Sequence, residues 1–304
     1  MTWGELLSSG QEKLKDAGII EYGLDAWYLF EAVFGMSRAQ YFLHAADTAD
    51  VSEEKQKEFE TALSRRAGRE PLQYITGVQE FMGMEFQVDP HVLIPRQDTE
   101  TLVEAVLSEN KDPELSILDM CTGSGCIAIS LARLGGYKRV EAADISREAL
   151  KRAENNAELL LPPEGVSSEP KQTLCFRESD MFSAFDPVTE KFNVIVSNPP
   201  YIPSRVIEGL EPEVKDFEPR NALDGTEDGL FFYRCLAESC GRFLRENGKV
   251  YFEIGHDQGE AVSSLLKTHG FSDTRVIKDL TGKDRVVYGR YQAAYGPDQS
   301  VREA

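Results

Sequence analysis

No run of about 18 or more apolar residues occurs in the 304-residue chain, so no membrane-spanning helix is expected. The first stretch, "MTWGELLSSGQEKLKD", lacks the basic and then apolar regions of a secretory signal, which leaves the cytoplasm as the expected compartment. Cys121, Cys126, Cys175, Cys235 and Cys240 form no CxxC pair and are odd in number, so they read as free thiols in a reducing environment. The four histidines are scattered, and no metal site is expected. Basic residues are short as well: 33 Lys and Arg stand against 52 Asp and Glu, a formal charge of −19. Tight, non-specific binding to a phosphate backbone needs clustered cations. A local basic groove stays open, but the balance fits a basic or neutral protein partner better than naked nucleic acid. No internal repeat is visible.

What remains is an ordinary globular composition, 41% hydrophobic and 28% charged, long enough for one large or two modest domains. The first 70 residues read as helices. "SEEKQKEFETALSRRAG" has Ser52 as an N-cap, acids early, Arg65 and Arg66 late, and a stop at Gly68. "LDAWYLFEAVFG" is apolar enough for a buried helix ending at Gly35. "VQEFMGMEFQVD", with Gly83 at its middle, reads as a β-hairpin. "IPRQDTETLVEAVLSE" then opens a helix, with Asp98 and Thr99 as candidate caps. From residue 115 strands ("LSILDM", "YKRVEAAD", "QTLCFRES", "KFNVIVSN", "GKVYFEI") alternate with helices ("GCIAISLARLG", "SREALKRAENNAELL", "GLFFYRCLAESCGRFLREN", "GEAVSSLLKTHG"). "SDTRVIKDL" and "RVVYGRYQ" close as a hairpin. The expected fold is a doubly wound, mostly parallel α/β sheet with a C-terminal antiparallel hairpin, plus a small N-terminal helical domain. The expected organisation is a helical domain over 1–75, a bridging hairpin over 76–94, a sheet domain over 95–291 and a loose tail over 292–304. "LPPEGVSSEPKQ" reads as a surface loop.

"ILDMCTGSGCIAIS" sets a strand, Asp119, the turn Cys121-Thr122-Gly123-Ser124-Gly125, and a helix in succession. Glycines there permit positive φ and close approach of backbone to ligand. Asp144 ends the next strand 19 residues after Gly125, followed by Ile145, where a carboxylate can accept both ribose hydroxyls. The pattern is not GxGxxG and no phosphate-cradling lysine follows. With Asp119 nearby, it argues against a pyrophosphate and for a cationic or zwitterionic nucleoside, a description S-adenosylmethionine meets. Asp180 and Met181, at the end of the third strand, are placed to flank an adenine ring. A tight turn with capping aspartates is the alternative for these residues taken singly.

The fourth strand, Val194–Val196, runs into Asn198-Pro199-Pro200-Tyr201. Consecutive prolines cannot continue a ladder. They stiffen a turn in which the Asn198 side-chain carbonyl and the Pro199 main-chain carbonyl stay available as acceptors. Two converging acceptors suit the two hydrogens of a planar –NH₂, either an amide or an aromatic amine. Tyr201 adds a flat face and a hydroxyl to hold that planar group.

At these residues the sequence resembles the class I S-adenosylmethionine-dependent methyltransferases. More closely, it is similar to the HemK/PrmC family, the protein-(glutamine-N5) methyltransferases of peptide-chain release factors. Residues 71–291 carry the likeness, through "EFMGMEFQVDPHVLIPRQDTETLVE", "LDMCTGSGCIAIS", "VSNPPYIP", "EPRNALDGTEDGL", "YFEIGHDQG" and "DRVVYGR". The resemblance implies methylation of the glutamine in the Gly-Gly-Gln loop of class I release factors. It implies that Cys121 to Gly125 and Asp144 hold the cofactor, that Met181 borders its adenine, and that Asn198 to Tyr201 hold the glutamine amide. Two departures are visible. The usual Pro-Arg-Pro-Glu-Thr-Glu reads "PRQDTE", with Gln97 and Asp98 substituted, and Gly225-Thr226-Glu227 stands where Gly-Gly usually precedes Asp-Gly-Leu. Both are expected to lie away from the cofactor and amide and to bear on protein docking. A ribosomal-protein glutamine methyltransferase would share the site. An adenine methyltransferase of DNA or RNA ranks lower, because residues 205–228 hold Glu208, Glu211, Glu213, Asp216, Glu218, Asp224, Glu227 and Asp228 against Arg205, Lys215 and Arg220. A non-catalytic S-adenosylmethionine sensor is disfavoured by the intact Asn-Pro-Pro-Tyr. The expected protein is a monomer that meets a protein substrate directly, without nucleic acid or membrane.

Overall fold

The computed structural model describes residues 1–161 and 173–292, and it divides into two compact units. Most of the expected surface loop after Leu161 and the expected tail after Gln292 lie outside the described residues. No helix among the described residues is long and apolar enough to cross a membrane.

The first unit takes in Met1–Val78, Val88–Pro90 and Leu210–Glu218. Its helices are α1 (Trp3–Asp16), α2 (Tyr22–Phe34), α3 (Arg38–His44), α4 (Glu53–Ala67) and α5 (Leu72–Thr76). Local chemistry sets their ends. Thr2 and Glu5 form a reciprocal capping box on α1, and Ser37 and Gln40 form another on α3. Ser52 caps α4 as its sequence predicts, and Gly35 ends α2 in the left-handed conformation. The core gathers Leu14, Leu29, Phe30 and Phe59, with Trp3, Trp27, Phe34 and Tyr41 packed edge to face around them. Each fully buried side chain of this size contributes about 1.5–3 kcal/mol. An ion network sits inside this unit. Arg66 donates to Asp25 Oδ2 at 2.7 Å and to Glu213 Oε1 at 3.0 Å, and Arg69 grips the other Glu213 oxygen.

The second unit begins with the hairpin of β1 (Val78–Phe81) and β2 (Met84–Gln87), turned by Met82 and Gly83, both at positive φ. α6 (Gln97–Glu109) follows, then β3 (Ser116–Met120), α7 (Cys126–Gly135), β4 (Arg139–Asp144), α8 (Arg147–Leu160), β5 (Thr173–Glu178) and β6 (Phe192–Ser197). Three one-turn helices come next: α9 (Ser204–Ile207), α10 (Pro212–Lys215, which belongs to the first unit) and α11 (Arg220–Leu223). α12 (Phe231–Phe243), β7 (Leu244–Glu253), α13 (Gly259–Thr268), β8 (Phe271–Lys278) and β9 (Asp284–Tyr291) complete the described elements. The seven-stranded sheet runs β5-β4-β3-β6-β7-β9-β8. The first five strands are parallel, and β9 is antiparallel to both of its neighbours. Apolar side chains on both faces, such as Val196 and Tyr251 on one and Leu118 and Phe252 on the other, bury the sheet between helices. The alternation of strand and helix predicts this layout, with one correction. The helix expected to run through Asn247 stops at Phe243. Leu244 is buried and pairs with Phe192, and Asn247, at φ 59°, marks where the register shifts before Lys249.

Candidate active site

β3 has β4 on one side and β6 on the other, so the chain leaves and re-enters the sheet in opposite directions around it. Such a reversal opens a crevice at the carboxyl ends of the two strands. A cavity lies there, lined among others by Cys121, Gly123, Asp144, Met181, Asn198 and Arg96.

Its first wall is the glycine turn. Cys121, Gly123 and Gly125 all take positive φ. The Thr122 amide donates to the Ala143 carbonyl, and the Gly123 amide donates to Asp144 Oδ2 at 2.8 Å. The Ser146 amide takes the other Asp144 oxygen at 2.9 Å. Asp144 therefore ties the turn to the end of β4, while its oxygens keep further lone pairs for a ligand. Burial raises its pKa, and the Ser146 and Gly123 amides oppose the rise. Thr122, Ser124 and Ile145 also line the cavity, and Ile145 is 58% exposed. Asp180 and Met181 stand opposite, with Met181 at φ 48° and its carbonyl accepting from Ser179 Oγ. Two non-glycine residues held in left-handed backbone, Cys121 and Met181, border one cavity. Each costs of order 1–3 kcal/mol and persists where its surroundings over-determine it.

Two expected cofactor residues sit elsewhere. Gly125 does not line the cavity. A side chain on it would meet Ala153 and Ile129 at 3.0 Å, so its role is the close approach of α7 and α8. Asp119 is fully buried beneath the turn, where Oδ2 accepts from Thr122 Oγ1 at 2.6 Å and from the Ala128 amide. Its Oδ1 has no partner among the described residues, and burial pushes its pKa up to about 7. Asn156 escaped sequence reading. Buried on α8, it donates to both the Ser124 and Gln87 carbonyls, which fastens the turn to the β2 end of the hairpin.

The second wall begins where β6 stops. Ser197 Oγ donates to the Met120 carbonyl, and the two prolines then end the ladder. Asn198 and Pro200 line the cavity, whereas Pro199 is buried and Tyr201 half-buried outside its lining. The Tyr201 hydroxyl, expected to hold the substrate, donates instead to Glu253 Oε1 at 3.4 Å. Asn198 Nδ2 donates to Thr99 Oγ1 at 3.3 Å. This corrects the expected caps of α6. Arg96 is the N-cap residue, and neither Asp98 nor Thr99 caps the helix. Thr99 turns inward, 2% exposed, and Asp98 pairs with Arg285 at 2.8 Å. The "PRQDTE" run thus contacts Asn198 directly through Thr99.

Residues 219–232 close the site with Pro219, Asn221, Ala222 and Phe232. The chain after Tyr201 pairs with this segment: the Ile202 amide donates to Leu223, the Gly225 amide to Ile202, and the Ser204 amide to Thr226. Gly229, at φ 73°, is forced by close approach, since a Cβ there would lie 2.3 Å from the Tyr201 carbonyl oxygen. Thr226 stands at φ 71°, with a β-branched side chain in left-handed backbone. Thr226→Gly is expected to raise stability by about 0.5–1 kcal/mol, the left-handed strain relieved less the added chain entropy. A urea midpoint shift measures it, and a fall in midpoint contradicts it. The acids of 205–228 are largely engaged within the chain. Glu208 and Asp224 hold Arg220, Asp228 holds Arg234, and Glu211 and Glu213 hold Arg69. Their expected repulsion of a phosphate backbone is correspondingly weaker. Among the described residues no cluster of His, Cys, Asp and Glu is arranged to hold a metal ion.

Comparison with known proteins agrees with this division of labour. Residues 5–77 match the family described as PrmC N-terminal domain, and residues 97–208 match Methyltransferase small domain. The release factor glutamine methyltransferase of Geobacter sulfurreducens is 37% identical, over 91% of this chain and 92% of that one. Its counterpart in Clostridium botulinum is 38% identical, over 94% of this chain and 98% of that one. Among solved structures, the protein-(glutamine-N5) methyltransferase (release factor-specific) of Alicyclobacillus acidocaldarius is 31% identical, with 68% of this chain and 100% of that one covered at a TM-score of 0.40. Sequence identity of this extent, spanning both units, means that the chain belongs to the release factor glutamine methyltransferase family.

Proposed function

We propose that the protein transfers a methyl group from S-adenosylmethionine to the side-chain amide nitrogen of the glutamine in the Gly-Gly-Gln loop of class I release factors. One observation carries the chemistry: Asn198, at the open end of β6, lines the same cavity as the Gly123 turn and Asp144. The relatives' names supply the substrate class.

The residues fit the cofactor. Asp144 has acceptor capacity for ribose hydroxyls, and Ile145 and Met181 present apolar faces for a purine. The unpartnered Asp119 Oδ1 under the turn and the exposed Asp180 make this end of the cavity favourable to positive charge. Arg96 brings a cation to the cavity for a carboxylate. When bound, S-adenosylmethionine supplies an electrophilic methyl group on a sulfonium.

The chain's own residues handle the nucleophile. An amide nitrogen is a weak nucleophile because its lone pair is delocalised. With Nδ2 committed to Thr99, the Asn198 Oδ1 is left as acceptor, and no described residue donates to the Pro199 carbonyl. Asn198 Oδ1 accepts one amide hydrogen at the cavity, pushes density onto nitrogen and aims its lone pair, while Pro199, expected as the second acceptor, is buried outside the cavity lining. Orientation of this kind supplies at most about 7–11 kcal/mol. The proton leaves after transfer, when the nitrogen has become strongly acidic, so no base is needed beforehand. With tritiated S-adenosylmethionine, purified protein should label a release factor, and Gln→Ala in the Gly-Gly-Gln loop should abolish the label. Label on an adenine-containing oligonucleotide instead would refute the reading.

A further inference from the structure

The run "YFEIGHDQG", residues 251–259, lines no part of the cavity. It spans the end of β7, the turn after it and the start of α13. One of its side chains nevertheless reaches the site's backbone. Gln258 is 8% exposed, and both ends of its amide are committed to main chain. Oε1 accepts from the Gly255 amide at 2.9 Å. Nε2 donates to the Tyr201 carbonyl at 3.1 Å and to the Gly229 carbonyl at 3.2 Å. A backbone N–H only donates and a backbone carbonyl only accepts, so these three partners admit a single orientation of the amide.

The two carbonyls belong to different parts of the site. Tyr201 ends the Asn-Pro-Pro-Tyr turn that carries Asn198. Gly229 lies in the segment whose Pro219, Asn221, Ala222 and Phe232 close the cavity. Gln258 joins them where the backbones already touch. A Cβ at Gly225 would lie 2.7 Å from the Tyr201 Cα, and one at Gly229 would lie 2.9 Å from Gln258 Nε2. The same run holds Tyr201 a second time, since the tyrosine hydroxyl donates to Glu253 Oε1. At the near end of the turn, Ser197 Oγ is tied to the Met120 carbonyl. Asn198 thus stands between two anchors. Pro199 and Pro200 have fixed φ, so the place of the Tyr201 carbonyl is passed back to Asn198 with little play.

We propose that Gln258 is a positioning residue for methyl transfer: by joining the Tyr201 and Gly229 carbonyls it fixes the far end of the Asn-Pro-Pro-Tyr turn against the cavity wall, and so the place of the Asn198 acceptor. This rests on the reading of Asn198 as the amide acceptor.

The test compares Gln258→Met, Gln258→Glu, Asn198→Ala and the Asn198→Ala/Gln258→Met double variant. Each is run as a single turnover with release factor, and its rate is taken per site that binds S-adenosylhomocysteine. Methionine keeps the length of the side chain and removes its amide. Glutamate keeps an acceptor for the Gly255 amide and, when ionised, has no proton for the two carbonyls. Each Gln258 variant is expected to be about 10–100-fold slow per site, the scale of loss from a misplacement of about 1 Å. S-adenosylhomocysteine affinity should stay within about three-fold of native, because the Gly123 turn and Asp144 are held by bonds of their own. The double variant should be within about three-fold of Asn198→Ala, since Gln258 then has no acceptor left to place. A residue that serves stability alone would lower the urea midpoint and the number of competent sites but leave the rate per site native. A native rate per site in either cofactor-binding Gln258 variant therefore overturns the proposal. Losses that multiply in the double variant overturn it as well, and so does loss of cofactor binding in both Gln258 variants, which would make the residue a requirement of folding. If only one of the two binds the cofactor, its rate decides. Asn198→Ala separates the two ideas. If it turns over normally, the reading of Asn198 fails and the proposal with it. If it is slow while a Gln258 variant is native, only the proposal fails.

Discussion

Asn198→Ala is expected to lower turnover about 10²–10³-fold while cofactor affinity stays within about three-fold, the loss typical for one preorganised polar contact that strengthens in the transition state. The methyl of alanine leaves the prolines and the end of β6 as they are, because β6 is closed by Ser197 on Met120 and the turn by Gln258 on the Tyr201 carbonyl. What disappears is the side-chain acceptor and its contact with Thr99. The Gly123 turn and Asp144 are held by their own hydrogen bonds, none of which involves Asn198. A single-turnover rate and a binding isotherm on the same preparation make the comparison. A parallel collapse of cofactor affinity would assign Asn198 a structural role instead.

Arg66→Ala is expected to destabilise the helical unit by about 3–5 kcal/mol, the cost of stranding buried carboxylates without their partner. Arg66 is 8% exposed and Asp25 7%, and the guanidinium reaches Asp25, Glu213 and the Glu70 carbonyl together. A lysine has neither the fork nor the number of donors to replace it. Arg69 keeps its hold on Glu213, so Asp25 is the group left bare. Removing it too, in Arg66→Ala/Asp25→Ala, should return part of the loss in a double-mutant cycle. Urea unfolding followed by tryptophan fluorescence reports it, since Trp3 and Trp27 both lie in this unit. A loss under about 1 kcal/mol would show the network to be as dispensable as a surface ion pair.

Elements whose ends are set by local chemistry were legible in the chain. Ser52 and Gly35 stand at helix ends because short-range hydrogen bonding and positive φ put them there. The nucleoside end was legible for the same reason, as Asp144 and the glycine turn are joined by bonds across a single strand-helix-strand unit. Roles decided by distant partners were hidden. Asp98 and Thr99 have the chemistry of caps, and only Arg285 and Asn198, far along the chain, turn them to other uses. Tyr201 reads as a substrate holder until Glu253 is beneath it. Gly125 reads as ligand contact until Ala153 of the neighbouring helix is seen against it. The acids after Ile207 read as a repulsive face because their arginine partners include Arg69 and Arg234, which lie outside the segment.

The strand order bears on how the protein is made. β9, the last of the described strands, lies inside the sheet between β7 and β8. A ribosome that has released the chain as far as Lys278 has delivered β8 with no neighbour to pair with and β7 with one edge bare. Synthesis proceeds from the N-terminus at about 5–20 residues per second, so this open sheet persists until Asp284–Tyr291 emerges. Glu253 on β7 and Arg285 on β9, both beside the site, come together only at that moment. The last of the described strands to leave the ribosome is therefore the one that joins β8 to β7, and a chain cut short before it carries every cavity-lining residue on a sheet that cannot close.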